Sequence, residues 1–65
     1  MKLNVHKIKL IMAEKGLSVT GYSELCGISR QNVSTILTRG TCSPITAGKL
    51  ANGLGVNVSE IVKEE

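Results

Sequence analysis

Apolar residues recur along this chain in one arrangement: an apolar residue, then a polar residue suited to capping a helix, then a second apolar residue four positions after the cap. Leu3-Asn4 with Ile8, Leu17-Ser18 with Tyr22, Ile28-Ser29 with Val33, and Val56-Asn57 with Ile61 all follow it. This is the hydrophobic staple, in which two apolar side chains clasp the first helical turn around its N-cap, so each repeat predicts a helix start. Ser43 predicts one more, with Pro44 at the first helical position, where a missing N–H is no loss. Glu60 stands three residues after Asn57, the spacing of a capping box. Gly16, Gly27, Gly40 and Gly55 fall where the first four helices should stop, supplying the positive φ that a C-cap favours.

Between these starts and stops the apolar period is helical. Val5, Ile8, Ile11 and Met12 keep it, as do Val33, Ile36 and Leu37, and then Ala47, Leu50, Ala51 and Leu54. No stretch alternates for long enough to predict a strand. The pattern predicts an all-α fold, a compact five-helix bundle in a single domain over residues 1–65. Gly21 and Gly48 fall inside helices and Gly53 near the end of the fourth, each costing up to about 1 kcal/mol relative to Ala. Close helix–helix approach would account for some of them, and a modestly stable domain is expected.

Composition narrows the function. With 65 residues, 42% of them hydrophobic and 20% charged, the chain is expected to fold rather than stay disordered. A core this small does not support an elaborate enzyme with a deep pocket. No apolar run reaches the roughly 18 residues of a membrane span. Lys7 and Lys9 break up the apolar residues of MKLNVHKIKLIMAEKG, unlike the core of a signal peptide. A soluble, cytoplasmic protein is the expectation. Cys26 and Cys42, sixteen apart with His6 the sole histidine, make no metal-ligand set. They are expected to be reduced thiols, with Cys26 packed as a small apolar residue. No paired carboxylates, Cys–His or Ser–His set, or phosphate-binding glycine loop is present, so no catalytic residues, cofactor or small-molecule ligand are expected. Charge is uneven. Residues 1–49 carry seven Lys and Arg against Glu14 and Glu24, a balance of +5; residues 50–65 carry Lys63 against Glu60, Glu64 and Glu65, a balance of −2. A basic body with an acidic end hints at a polyanionic partner.

The second and third helices have a specific relation. Only about three residues around Gly27 separate them, a turn that makes helices cross steeply and calls for small or apolar residues at the crossing. Ser23 is small where the third helix must lie, and Tyr22, Cys26 and Ile28 can fill the wedge. Val33 and Ile36 are expected to point into the core. Arg30, Gln31, Asn32, Ser34, Thr35 and Thr38 are then left on the other face, which has no aliphatic residue and no acid.

Residues 17–40, LSVTGYSELCGISRQNVSTILTRG, resemble the helix-turn-helix of the phage-repressor/Cro-type (XRE family) regulators. Ser23, Gly27, Val33 and Ile36 stand where that family places its small residue, turn glycine and two apolar anchors. SPITAGKLANGLGVNVSEIV is similar to its fourth and fifth helices, with Leu54-Gly55-Val56 at their junction. The resemblance covers nearly the whole chain and implies a lambda-repressor-like DNA-binding fold, with the helix-turn-helix formed by helices two and three. It further implies a sequence-specific regulator of transcription, a repressor, that inserts the helix starting after Ser29 into the major groove of double-stranded DNA. Arg30 and Gln31 would read base edges, Arg by a fork to guanine and Gln by a fork to adenine, with Ser34 and Thr35 one turn later. Ser18, Thr20, Asn32, Thr38, Arg39 and Thr41 would bind phosphates, helped at Ser18 by the open N–H groups of a helix start. Arg39, Lys7, Lys9 and Lys49 also read as ordinary solvated charges, His6 as a surface residue and Tyr22 as a core wedge. Cys42 as a redox switch is the sharper alternative to a plain thiol.

Three departures from the family pattern stand out. Val19 replaces the Gln common just after the second cap, leaving Ser18 or Thr20 to make its phosphate contact. Met12 and Leu37 replace an Arg–Glu pair, a joint swap of an ion pair for apolar groups that proteins tolerate well. Gly40 comes one residue later than usual, lengthening the loop that follows. Such regulators bind near-palindromic sites as two-fold dimers, half-sites about one helical turn (~34 Å) apart. Here dimer contacts would have to come from Val58, Ile61 and Val62, a small surface, so a monomer or weak homodimer tightened by DNA is expected. The alternative function is a helix-turn-helix protein-interaction module, an antirepressor or a DNA-binding antitoxin, that needs a partner protein. The replacement at Val19 favours it; the acid-free polar face of the third helix opposes it.

Overall fold

Asn4, Ser18, Ser29 and Ser43 each accept a backbone N–H from the residue three positions on, and each opens a helix. The structure, a computed structural model, describes residues 1–63; Glu64 and Glu65, two of the acids behind the negative charge expected at the end of the chain, lie outside the described residues. Within it run α1 (Val5–Lys15), α2 (Val19–Cys26), α3 (Arg30–Arg39), α4 (Pro44–Leu54) and the single turn α5 (Val58–Ile61). At Asn57 the backbone N–H donates to Glu60 Oε2 at 3.0 Å, the side-chain arm of a capping box. Gly16, Gly27, Gly40 and Gly55 end the first four helices with φ of 65–74°. The staple reading has a direct consequence for packing. Ile8, Tyr22, Val33, Ala47 and Ile61, each four residues after a cap, are all 0% exposed. The same local rule that starts each helix therefore also aims it at the core.

One apolar cluster joins all five helices, with Leu3, Met12, Cys26, Leu37, Leu50, Ala51 and Leu54 completing it. α2 packs on both α3 and α4, while α5 packs on α4 and α1. At the centre, Tyr22 donates its hydroxyl to the Leu50 carbonyl at 2.7 Å, so the polar tip of the one aromatic residue is satisfied without reaching water. Gly53 lies where α4 comes close to α2. A Cβ there would stand 2.6 Å from Cys26 Sγ and 3.1 Å from a Tyr22 ring carbon. Close approach thus accounts for Gly53 but not for Gly48, which faces open space, nor for Gly21, whose added Cβ would make ordinary contacts with Ser18 and Leu17. Met12 and Leu37, the paired apolar replacements, both lie buried in the cluster.

Two expectations need correcting. Ile61, expected at a dimer surface, is fully buried inside its own chain, because it is the staple residue of α5; Val58 and Val62 are half-buried beside it. On α3, Leu37 rather than Ile36 makes the second full insertion into the core, and Ile36 packs only at its edge. The described residues also hold two features that periodicity does not show. Antiparallel bridges join Lys2 to Thr41 and Leu3 to Val62. Leu3 N–H donates to Gly40 O and Asn4 N–H to Ile61 O, each at 2.8 Å, so residues 1–3 lie between the loop after α3 and the segment after α5.

Candidate nucleic-acid interface

The turn between α2 and α3 is built by three residues. Gly27 adopts φ 71°, and the N–H groups of Gly27 and Ile28 both donate to the Ser23 carbonyl, closing the end of α2. Ile28 folds against the core edge, and Ser29 caps α3. Ser23 is buried at the crossing, its hydroxyl satisfied by the Thr20 carbonyl at 2.7 Å.

That face carries the groups the sequence singled out. Arg30 and Gln31 are the first two residues of α3, and Ser34 and Thr35 stand one turn later on the same side. All four are exposed and line one open groove together with Val19, the first residue of α2. No acid lines it. The guanidinium of Arg30 and the amide of Gln31 are thus free to offer forked hydrogen bonds to an edge that presents acceptors or a donor–acceptor pair. Thr35 Oγ1 donates to the Gln31 carbonyl at 2.9 Å, which leaves this hydroxyl as an acceptor toward the groove. Thr38 Oγ1 donates likewise to Ser34 O at 3.0 Å.

The expected phosphate-binding residues do not form one set. Asn32 and Arg39 line a second groove, between α3 and α4, with Ile28, Ile36, Thr46 and Lys49. Thr35 borders both grooves, so the two are continuous across α3. Ser18 and Thr20 sit apart, at the start of α2. Ser18 Oγ accepts from Gly21 N–H at 3.1 Å, which leaves its own proton to donate. Thr41 lies beyond α3 in a third groove with Lys2, His6, Arg39 and Lys63. Arg39 therefore joins two basic surfaces. Thr46 escaped sequence reasoning altogether, and Lys49 read mainly as a solvated charge; the neighbourhood of Arg39 that gathers them depends on how α4 meets α3. Lys7 and Lys9 line neither of the first two grooves.

The thiols are free, Cys26 buried and Cys42 half-buried. Burial pushes both thiols above their ordinary value, opposed at Cys26 by a hydrogen bond with Tyr22 and at Cys42 by the N-terminal ammonium. Burial also pushes the Tyr22 phenol well above its usual range, helped by the nearby Cys26 and Cys42. All three groups stay neutral near pH 7, which suits packing and not nucleophilic chemistry. No three of the His, Cys, Asp and Glu side chains among the described residues cluster as a metal site would require. No helix among them is long and apolar enough to cross a membrane.

Neither a curated protein nor a solved structure matches the chain. The model of one family matches residues 7–64, from the first turns of α1 through α5, and so takes in every element that builds the two grooves. The chain belongs to the Cro/C1-type helix-turn-helix DNA-binding domain family.

Proposed function

We propose that this protein is a sequence-specific transcriptional repressor that reads double-stranded DNA with α3 in the major groove. The observation that carries the reading is the groove in which Arg30, Gln31, Ser34 and Thr35 converge with no acid among them. Arg30 and Gln31 supply forked donors for guanine and adenine edges, and Ser34 and Thr35 add contacts one turn along. Phosphates on one side are held by Asn32, Thr38 and Arg39, with Thr41 behind them, and on the other by Ser18 and Thr20 at the start of α2. Repression follows by occupancy: a bound domain denies the site to other proteins. The protein pairs weakly across a near-palindromic site, through Val58 and Val62 without Ile61, and DNA supplies the added stability of the dimer.

Selection of bound sequences from a random duplex library at physiological salt tests the reading. A two-fold symmetric motif is the expected result, and its absence, with only weak and salt-sensitive binding, would refute sequence-specific reading. Analytical ultracentrifugation without DNA should show mainly monomer at low micromolar concentration; a stable dimer there would overturn the weak-pairing assignment.

A further inference from the structure

Among the described residues, Val19 is the one aliphatic side chain in the groove that holds Arg30, Gln31, Ser34 and Thr35. It follows the Ser18 cap directly and is half-buried, packing against the edge of the core while also lining the groove. Its backbone placement is fixed from both directions, by the Ser18 to Gly21 cap bond on one side and the crossing of α2 with α3 on the other. A valine side chain can neither donate nor accept a hydrogen bond, so it has nothing to offer a phosphate or the polar atoms of a base edge. Of the groups that base pairs present in the major groove, one is apolar, the 5-methyl of thymine.

We propose that Val19 is a specificity-determining residue that packs against a thymine 5-methyl group, while Arg30 and Gln31 beside it make polar contacts with neighbouring bases. The inference rests on α3 reading DNA as proposed above and adds a component from α2. Preference at one base pair of the site then comes from hydrocarbon contact and not from hydrogen bonding. It follows the presence of the methyl and not the charge of the surface.

The test uses the full chain and the site enriched from the duplex library, with each thymine replaced in turn by deoxyuridine, which lacks only the methyl. Wild type should lose about four-fold in affinity at one position in each half-site, the worth of one methyl taken out of water. Val19→Ala should show less than about half that thymine preference, and Val19→Leu, which keeps a hydrocarbon surface, should retain most of it. Thermal unfolding of both variants checks that they fold. The wild-type scan alone can overturn the inference, and a loss in it is assigned to Val19 and not to the Thr35 methyl by the folded variant. Neutral replacement of every thymine overturns the inference while leaving DNA reading intact. So does a preference of the same size in folded Val19→Ala. A library that enriches no sequence overturns the reading and this inference together.

Discussion

The α2–α4 contact and the outward face of α3 are built on opposite terms. At the contact, Tyr22, Cys26 and Gly53 meet so closely that one added carbon has no room, and the Tyr22 hydroxyl is satisfied internally. On the outward face of α3, Arg30, Gln31, Ser34 and Thr35 are exposed, and the hydroxyl of Thr35 is held only by its own helix. The first region fixes shape and spends no specificity on ligands; the second holds chemical groups ready and contributes little to folding. Ser23 and Gly27, between them, convert the shape of one into the placement of the other.

This division can be broken most forcefully at Tyr22. Tyr22→Ala should cost about 3–5 kcal/mol, enough to unfold most of a domain this small, as circular dichroism during urea titration would show. Gly53→Ala should cost about 1–3 kcal/mol by overpacking, because the Cys26 backbone and the Tyr22 ring cannot both yield. Cys26→Ala in the same chain should recover part of that loss by removing the nearest atom, and a double-mutant cycle measures how much. A strictly additive pair would mean that Gly53 matters for some other reason. On the α3 face, Arg30→Ala should leave stability within about 0.5 kcal/mol yet cost about 1–3 kcal/mol on the selected site and relax one base pair. Equal losses on specific and random DNA would remove Arg30 from base reading. Gly48→Ala should stabilise by up to about 1 kcal/mol, since its added methyl meets nothing and relieves a glycine inside a helix.

Stability should also depend on pH, through the buried thiols. Burial keeps the Cys26 and Cys42 thiols protonated above their ordinary value of 9.0 in the folded protein. The folded state then holds more protons than the unfolded one from about pH 9 upward. Stability is therefore whole below that value and falls as pH rises through it. Urea midpoints at pH 8 and pH 10 should show the decline, and Cys26→Ala should lessen it.

Much of this fold is written in short-range grammar. Caps, staples and C-terminal glycines act over three to five residues, so Asn4, Ser18, Ser29, Ser43 and Asn57 were legible, and with them the face each helix turns inward. The groove-lining residues of α3 were legible for a related reason: once Val33 points inward, helical spacing leaves Arg30, Gln31, Ser34 and Thr35 outside. What periodicity could not decide were choices made at long range. Ile36 and Leu37 are neighbours at the margin of the apolar stripe, and only the packing of the other helices selects Leu37 for the core. Gly53 differs from Gly48 solely through what lies opposite it in α2. Ile61 is a staple residue, and the same logic that buries it disqualifies it from a dimer surface. The bridges at Lys2 and Leu3 join segments from opposite ends of the chain and leave no local trace.

Order of assembly follows from those bridges. Each helix cap closes a loop of a few residues and can form within about a microsecond. The bonds from Leu3 N–H to Gly40 O and from Lys63 N–H to Lys2 O instead close loops spanning much of the chain, and their entropic cost grows with the logarithm of loop length. That cost weighs against them more than against the caps, so the amides of Leu3 and Lys63 should exchange with solvent ahead of those in α2 and α4. Because Thr41 is paired to Lys2, each opening also releases the turn behind α3. The first residues of the chain thus help to hold the segment that follows α3.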